Sequence, residues 1–186
     1  MLNLRAHSGA ALLAFLSTLL LMMASIGAAA AHLLFAGRSM TSQWLDREIA
    51  FRAAEVALLD AEADLIAAIA EVGGERLASW PTPGTCGTGA QRGLCMADGD
   101  MTAWMPWLEG NLPADLGIDA GTFTGITMPI LPADVIGATT APRYVIEPLE
   151  DRTGLTADAW PRFRITALGF GRDTGVRALL QTEFQP

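Results

Sequence analysis

Residues 10–36 read AALLAFLSTLLLMMASIGAAAAHLLFA, and residues 41–72 continue as TSQWLDREIAFRAAEVALLDAEADLIAAIAEV. How these two runs join decides the fold. The first is long enough to cross a bilayer as a helix, since about 20 apolar residues suffice. Its few Ser, Thr and Gly residues are tolerated by helices in lipid. No formally charged residue stands between Arg5 and Arg38, and Arg5 alone places positive charge before the run. That favours a cytoplasmic N-terminus.

The second run is helical in another way. Leu45, Ile49, Ala53, Val56, Leu59, Ala63, Ile66 and Ile69 recur in steps of three and four and form one face. Asp46, Arg47, Arg52, Glu55, Asp60, Glu62 and Asp64 form the other. Alanine is abundant, which favours helix, and Gly73-Gly74 is the expected stop. The pattern predicts one long helix, or two nearly continuous ones, from about Ala10 to Val72. A secretory signal peptide has a shorter apolar core and is followed by a mature chain. Here Ala28–Ala31 would supply a small-residue cut site, but the helical signal runs on past it.

Composition bounds the rest. The chain has 186 residues, a net charge of −8 and a mean hydropathy of +0.33, with much of the apolar excess in the first 37 residues. All twelve basic residues are arginines. An acidic chain of this kind is a poor partner for nucleic acid, whose phosphates need a basic surface. The acids are expected at solvent-facing positions. Five Trp and many branched aliphatics provide a core for a folded domain.

After Gly74 the character changes. Pro81, Pro83 and CGTGAQRGLC (86–95) mark irregular structure. The cysteine spacing excludes a two-residue metal knuckle, and no His lies nearby. In an exported domain Cys86 and Cys95 are expected to form a disulfide; in a reducing compartment they are two free thiols. Trp104 and Trp107, beside Pro106, are expected on a short turn or half-helix that feeds the core. Residues 118–141 look loop-rich. PRYVIEPL (142–149) alternates Tyr144 and Ile146 against Arg143, Val145 and Glu147. RFRITALGF (162–170) sets Phe163, Ile165 and Ala167 against Arg164, Thr166 and Leu168. GVRALLQTEF (175–184) is a third β-compatible run, joined to the second by Gly171–Gly175. The expected fold class is α+β: a long N-terminal helix, half transmembrane and half amphipathic, covering a C-terminal antiparallel sheet of at least three strands.

The ordered motifs resemble those of the type IV pilin and pseudopilin superfamily, and within it the PilX-type minor pilins. SGAALLAFL resembles a prepilin leader boundary. REIAFRAAEVALLDAEADL resembles the family helix signature, CGTGAQRGLC its disulfide loop, and PRYVIE, FRITALGFG and VRALLQTEF its strands. The resemblance implies a pilin fold with a leader over 1–9, a transmembrane and assembly helix over 10–37, and a periplasmic head over 38–186. It implies cleavage between Gly9 and Ala10 by a prepilin peptidase, after which the mature N-terminus is methylated. Glycine there leaves the scissile bond without a side chain to block approach.

Most pilins carry Glu at the fifth mature position, and this chain has Ala14 there. A subunit without that carboxylate cannot pair with a neighbour's N-terminus in the filament core. The expectation is a minor pilin at the filament tip, in a complex that primes assembly. Its implied partners are other minor pilins, the major pilin, the prepilin peptidase, the inner-membrane assembly platform and a tip adhesin. The implied location is the inner membrane as a single-pass protein with a periplasmic head, then the pilus. The alternatives are a K-type pseudopilin of a type II secretion system and a membrane-anchored extracytoplasmic binding module. No catalytic residue, cofactor or metal ligand is expected. His7 and His32 lie in the leader and the apolar run, Asp98 and Asp100 are too few for a calcium loop, and no nucleophile or phosphate-loop motif occurs.

Overall fold

The computed structural model describes residues 7–71, 73–111, 113, 116–127, 137–149 and 162–186. Helix α1 spans His7–Ala70, and the chain divides into two compact units, Met1–Trp44 and Leu45–Pro186. Residues 1–6 of the expected leader lie outside the described residues.

In the first unit every described side chain from Ala10 to Trp44 is exposed except the half-buried Ala31. Leu12, Leu13, Phe15, Leu20, Leu21, Met22, Met23, Ile26, Leu33, Leu34 and Phe35 all face outward. The hydroxyls of Ser17, Thr18 and Ser25 donate to the carbonyls of Ala14, Phe15 and Met22 at 2.9, 2.8 and 2.8 Å. The helix thereby satisfies these polar side chains internally, which a helix crossing a bilayer would require.

The second unit is built around a sheet. The strands are β1 (Ile118–Asp119), β2 (Arg143–Leu149), β3 (Arg162–Phe170) and β4 (Arg177–Phe184), in the order β1-β2-β3-β4 and all antiparallel. β2 and β3 pair from Arg143↔Leu168 to Leu149↔Arg162, and β3 and β4 from Phe163↔Phe184 to Phe170↔Arg177. The tight Gly171–Val176 connection is closed by Gly171 N donating to Val176 O at 2.8 Å. The expected meander is present, with β1 added and Leu94 bridging to Ile146.

The two sheet faces bury different partners. On one, Tyr144, Ile146, Phe163, Ile165 and Ala167 pack with Ala57, Ala61 and Leu65 of α1. On the other, Val145, Leu168 and Phe170 pack with Cys95 and Trp107. Trp107 sits on the short helix α2 (Met105–Leu108) and is buried, as expected. The amphipathic stretch of α1 does cover the sheet.

The face it uses is not the expected one. The buried residues of α1 are Asp46, Ala50, Ala53, Ala54, Ala57, Asp60, Ala61, Asp64 and Leu65. Of the expected apolar stripe only Ala53 is buried, while Leu59 and Ile66 are 65% and 55% exposed. The reason is distance. The β3 residues that face the helix run Phe163, Ile165, Ala167, Gly169, shrinking as α1 approaches. A Cβ on Gly169 would stand 2.1 Å from Ala50 O and 2.4 Å from Ala54 N. Only a row of alanines fits so close a crossing, so the helix packs by its small side rather than its large apolar one. α1 ends at Ala70, and Gly73 adopts φ +77° just beyond it.

Candidate functional site

Two regions carry the functional expectations: the uncovered apolar helix and the head that α1 anchors. In the first, Gly9, Ala10 and Ala14 all lie within α1, and Ala10 and Ala14 are exposed. Gly27 and Gly37 have nothing within 4 Å of where a Cβ would stand. Ser25, Gly27 and Ala28–Ala31 thus form a run of small residues along the helix. α1 is also the one helix among the described residues long and apolar enough to cross a membrane.

The head holds the other predicted pair. Cys86 and Cys95 form a disulfide, with Cα atoms 4.0 Å apart across an antiparallel bridge. Cys95 is fully buried against Trp107 and Val145. Its N–H donates to Ile146 O at 2.8 Å, while Ile146 N donates to Gly93 O at 2.8 Å. The disulfide loop is thus stitched to β2. Beside it a cleft of about 530 Å³ is lined by Thr85, Cys86, Met96, Met101, Met105 and Glu109 among others.

The acids depart most from expectation. Asp46, Asp60, Asp64 and Glu147 are buried instead of facing solvent. Each is a tie between elements. Asp64 is gripped by Arg76, with Nε at 3.1 Å from Oδ1 and Nη2 at 2.6 Å from Oδ2, and it accepts from Tyr144 Oη at 2.9 Å. Arg76 Nη1 also donates to the carbonyls of Ala90 and Arg92, both at 2.7 Å, and the guanidinium lies 3.8 Å from the Phe123 ring centre. One buried ion pair therefore gathers α1, the segment after it, the disulfide loop, β2 and the Gly121–Thr124 turn. Burial, with the Asp64 charge alongside, pushes the Tyr144 hydroxyl well above its ordinary value, so it stays a donor.

Asp60 accepts from Gly121 N at 2.7 Å and pairs with the Thr124 hydroxyl. Asp46 accepts from Arg172 N at 2.6 Å at the start of the last hairpin. Glu147, on the sheet face away from α1, accepts from Ala103 N at 2.9 Å through Oε1. Burial raises its carboxyl above the ordinary range, against the opposing pull of the Ala103 N–H and the nearby Arg164 charge. The clue to three of these acids was their spacing. Asp46, Asp60 and Asp64 lie among the alanines on the helix wheel, so centring the packed face on small residues would have found them.

The geometry is that of a docked scaffold. Asp98 and Asp100 are exposed, as is His32, and no group of three or more His, Cys, Asp or Glu is placed to hold a metal among the described residues. On the outward side of α1, Phe51, Leu59 and Ile66 remain uncovered beside the Glu48–Arg52–Glu55 ion pairs.

No curated protein and no solved structure gives a significant match to the chain. The family described as type IV pilus assembly protein PilX, C-terminal region, matches residues 91–186, which run from within the disulfide loop through β4 to residue 186. With an apolar helix that none of the described residues of its unit covers, and a sheet-bearing head that follows it, the chain belongs to the PilX family of type IV pilus assembly proteins.

Proposed function

We propose that the protein is a minor pilin that enters the type IV pilus through its apolar helix and acts at the filament tip, in the complex that primes assembly. The observation that carries this reading is the uncovered run of large apolar residues in Ala10–Ala36, which needs lipid or other helices around it. Cleavage after Gly9 retains that run and frees the amine of Ala10. Ala14 leaves the fifth mature position without a carboxylate, so the subunit lacks the group that would pair with a neighbour's amine. A subunit of that kind ends a stack more readily than it continues one. The work of such a protein is structural, and its direct partners are other pilins.

N-terminal sequencing of protein from sheared pili tests the processing. Recovery of an N-methylated Ala10 supports the reading; an intact Met1, or a start near His32, overturns it. Gold labelling of the head tests position. Label confined to fibre ends is the expected result, and uniform labelling of the shaft overturns the tip assignment.

A further inference from the structure

Among the described residues, the last strand leaves one edge of the sheet open. β4 pairs with β3 over its whole length, and nothing among the described residues bonds to its other edge. The eight residues RALLQTEF contain no Pro, Lys or Gly, and their register with β3 has no bulge. Of the devices by which natural sheets blunt such an edge, β4 lacks Pro and a bulge and keeps its charged side chains, Arg177 and Glu183. Arg177, Leu179, Gln181 and Glu183 share the sheet face away from α1, since Leu179 packs there and Gln181 donates to Thr166 on that side. Ala178, Leu180, Thr182 and Phe184 share the other face, where Phe184 packs with the α1 cluster.

We infer that β4 is an interaction edge that pairs antiparallel with the β4 of a second copy, about a twofold axis at Leu180. The argument is the charge pattern. In antiparallel self-pairing, the numbers of facing residues sum to a constant. Continuing the sheet with matched faces requires an even sum, because facing side chains point the same way. Among even sums only 360 sets Arg177 opposite Glu183, and the twofold then makes that pair twice. Ala178 faces Thr182, Leu179 faces Gln181, and Leu180 faces its own copy. A slip of two residues leaves Arg177 opposite Gln181 or Gln185 and forfeits both pairs. Glu183 is exposed, with Arg162 at a loose 3.8 Å and Arg164 opposite it in the β3 register, so the new partner's Arg177 joins an existing cationic neighbourhood. The order of contacts along β3 shows that α1 in the head runs in the direction of β4. Within the head units, the twofold therefore points the Leu45 ends of the two helices opposite ways.

The test uses the full chain in detergent micelles. Leu180→Cys is expected to give an oxidised dimer, and Ala178→Cys alone is not, whereas Ala178→Cys mixed with Thr182→Cys is. Equal trapping at 178 and 180 would mean association without this register, through α1 for instance, and overturns the inference. The second arm uses charge. Arg177→Glu and Glu183→Arg each place like charges opposite one another, but mixed together they restore both ion pairs. Energy transfer between labelled copies should rise about tenfold in the mixture over either variant alone. These positions are exposed or at the edge, and circular dichroism verifies folding of each variant. No gain on mixing, or trapping of Leu180→Cys only to a different pilus protein in cells, sinks the self-pairing.

Discussion

The carbonyl oxygen of Ala50 occupies the space that a side chain on Gly169 would need: a Cβ there would stand 2.1 Å away. Neither partner is able to move cheaply, because one belongs to a helix backbone and the other to a strand paired on both sides. Gly169→Ala must push α1 off the sheet along a row of alanines that have no slack. The expected cost is about 3 kcal/mol, at the upper end of overpacking penalties, read by urea unfolding of the full chain in detergent. A loss below about 0.5 kcal/mol, the level of an ordinary surface change, would show that the crossing is looser than described.

The Arg76–Asp64 pair is buried on both sides, at 7% and 4% side-chain exposure. Arg76→Met leaves the Asp64 carboxylate buried with the Tyr144 hydroxyl as its remaining donor. The expected loss is about 3–5 kcal/mol, against about 1 kcal/mol for Tyr144→Phe. Asp64→Asn combined with Arg76→Met should recover part of the loss, since no uncompensated charge then remains. A double-variant cycle measures that coupling.

Glu147 yields a pH signature. Its carboxyl titrates above its unfolded value, so the folded protein binds the extra proton between the two values. The stabilising contribution is complete at low pH and is lost as pH rises through the folded value. Glu147→Gln retains an oxygen for the Ala103 N–H and removes the charge. Its stability relative to the parent should therefore be higher at pH 7.5 than at pH 4.5. The opposite sign would mean that Arg164 stabilises the carboxylate more than burial disfavours it.

Reduction of Cys86–Cys95 opens a loop of sequence separation 9. Chain entropy alone assigns such a closure about 2.5–3 kcal/mol. Cys86→Ser with Cys95→Ser should lower stability by that amount and loosen the loop from β2. Hydrogen exchange at the Cys95 and Ile146 amides reports the loosening directly.

In the apolar helix, Gly27→Leu with Ala29→Leu should impair assembly more than membrane insertion. Added bulk on the small patch blocks close helix approach but makes the segment more apolar. Counting surface fibres alongside protein in the membrane fraction separates the two effects, and normal piliation with both changes present would refute the role of the patch.

Much of the fold was legible because it rests on local periodicity. The apolar run, the Gly73 stop, the alternation of Tyr144 with Val145 and of Phe163 with Arg164, and the cysteine loop each encode their element within a few residues. The burial of Trp107 followed from its composition. The buried ties were not legible in the same way. Asp64 meets Arg76 and Tyr144 at separations of 12 and 80 residues, and nothing local in the sequence pairs them.

By itself, then, the sequence determined that a long apolar helix leads into a helix-covered antiparallel sheet, since hydrophobic pattern and turn chemistry act over short range. Only the tertiary structure decided which side of that helix faces the sheet. The large apolar side chains, Leu59 and Ile66, were the natural choice by burial of area, yet they lie outside. A backbone crossing at Gly169 admits nothing larger than alanine. Steric closeness outweighed hydrophobic size, and three aspartates on the alanine side were carried inward to bind the head to its helix.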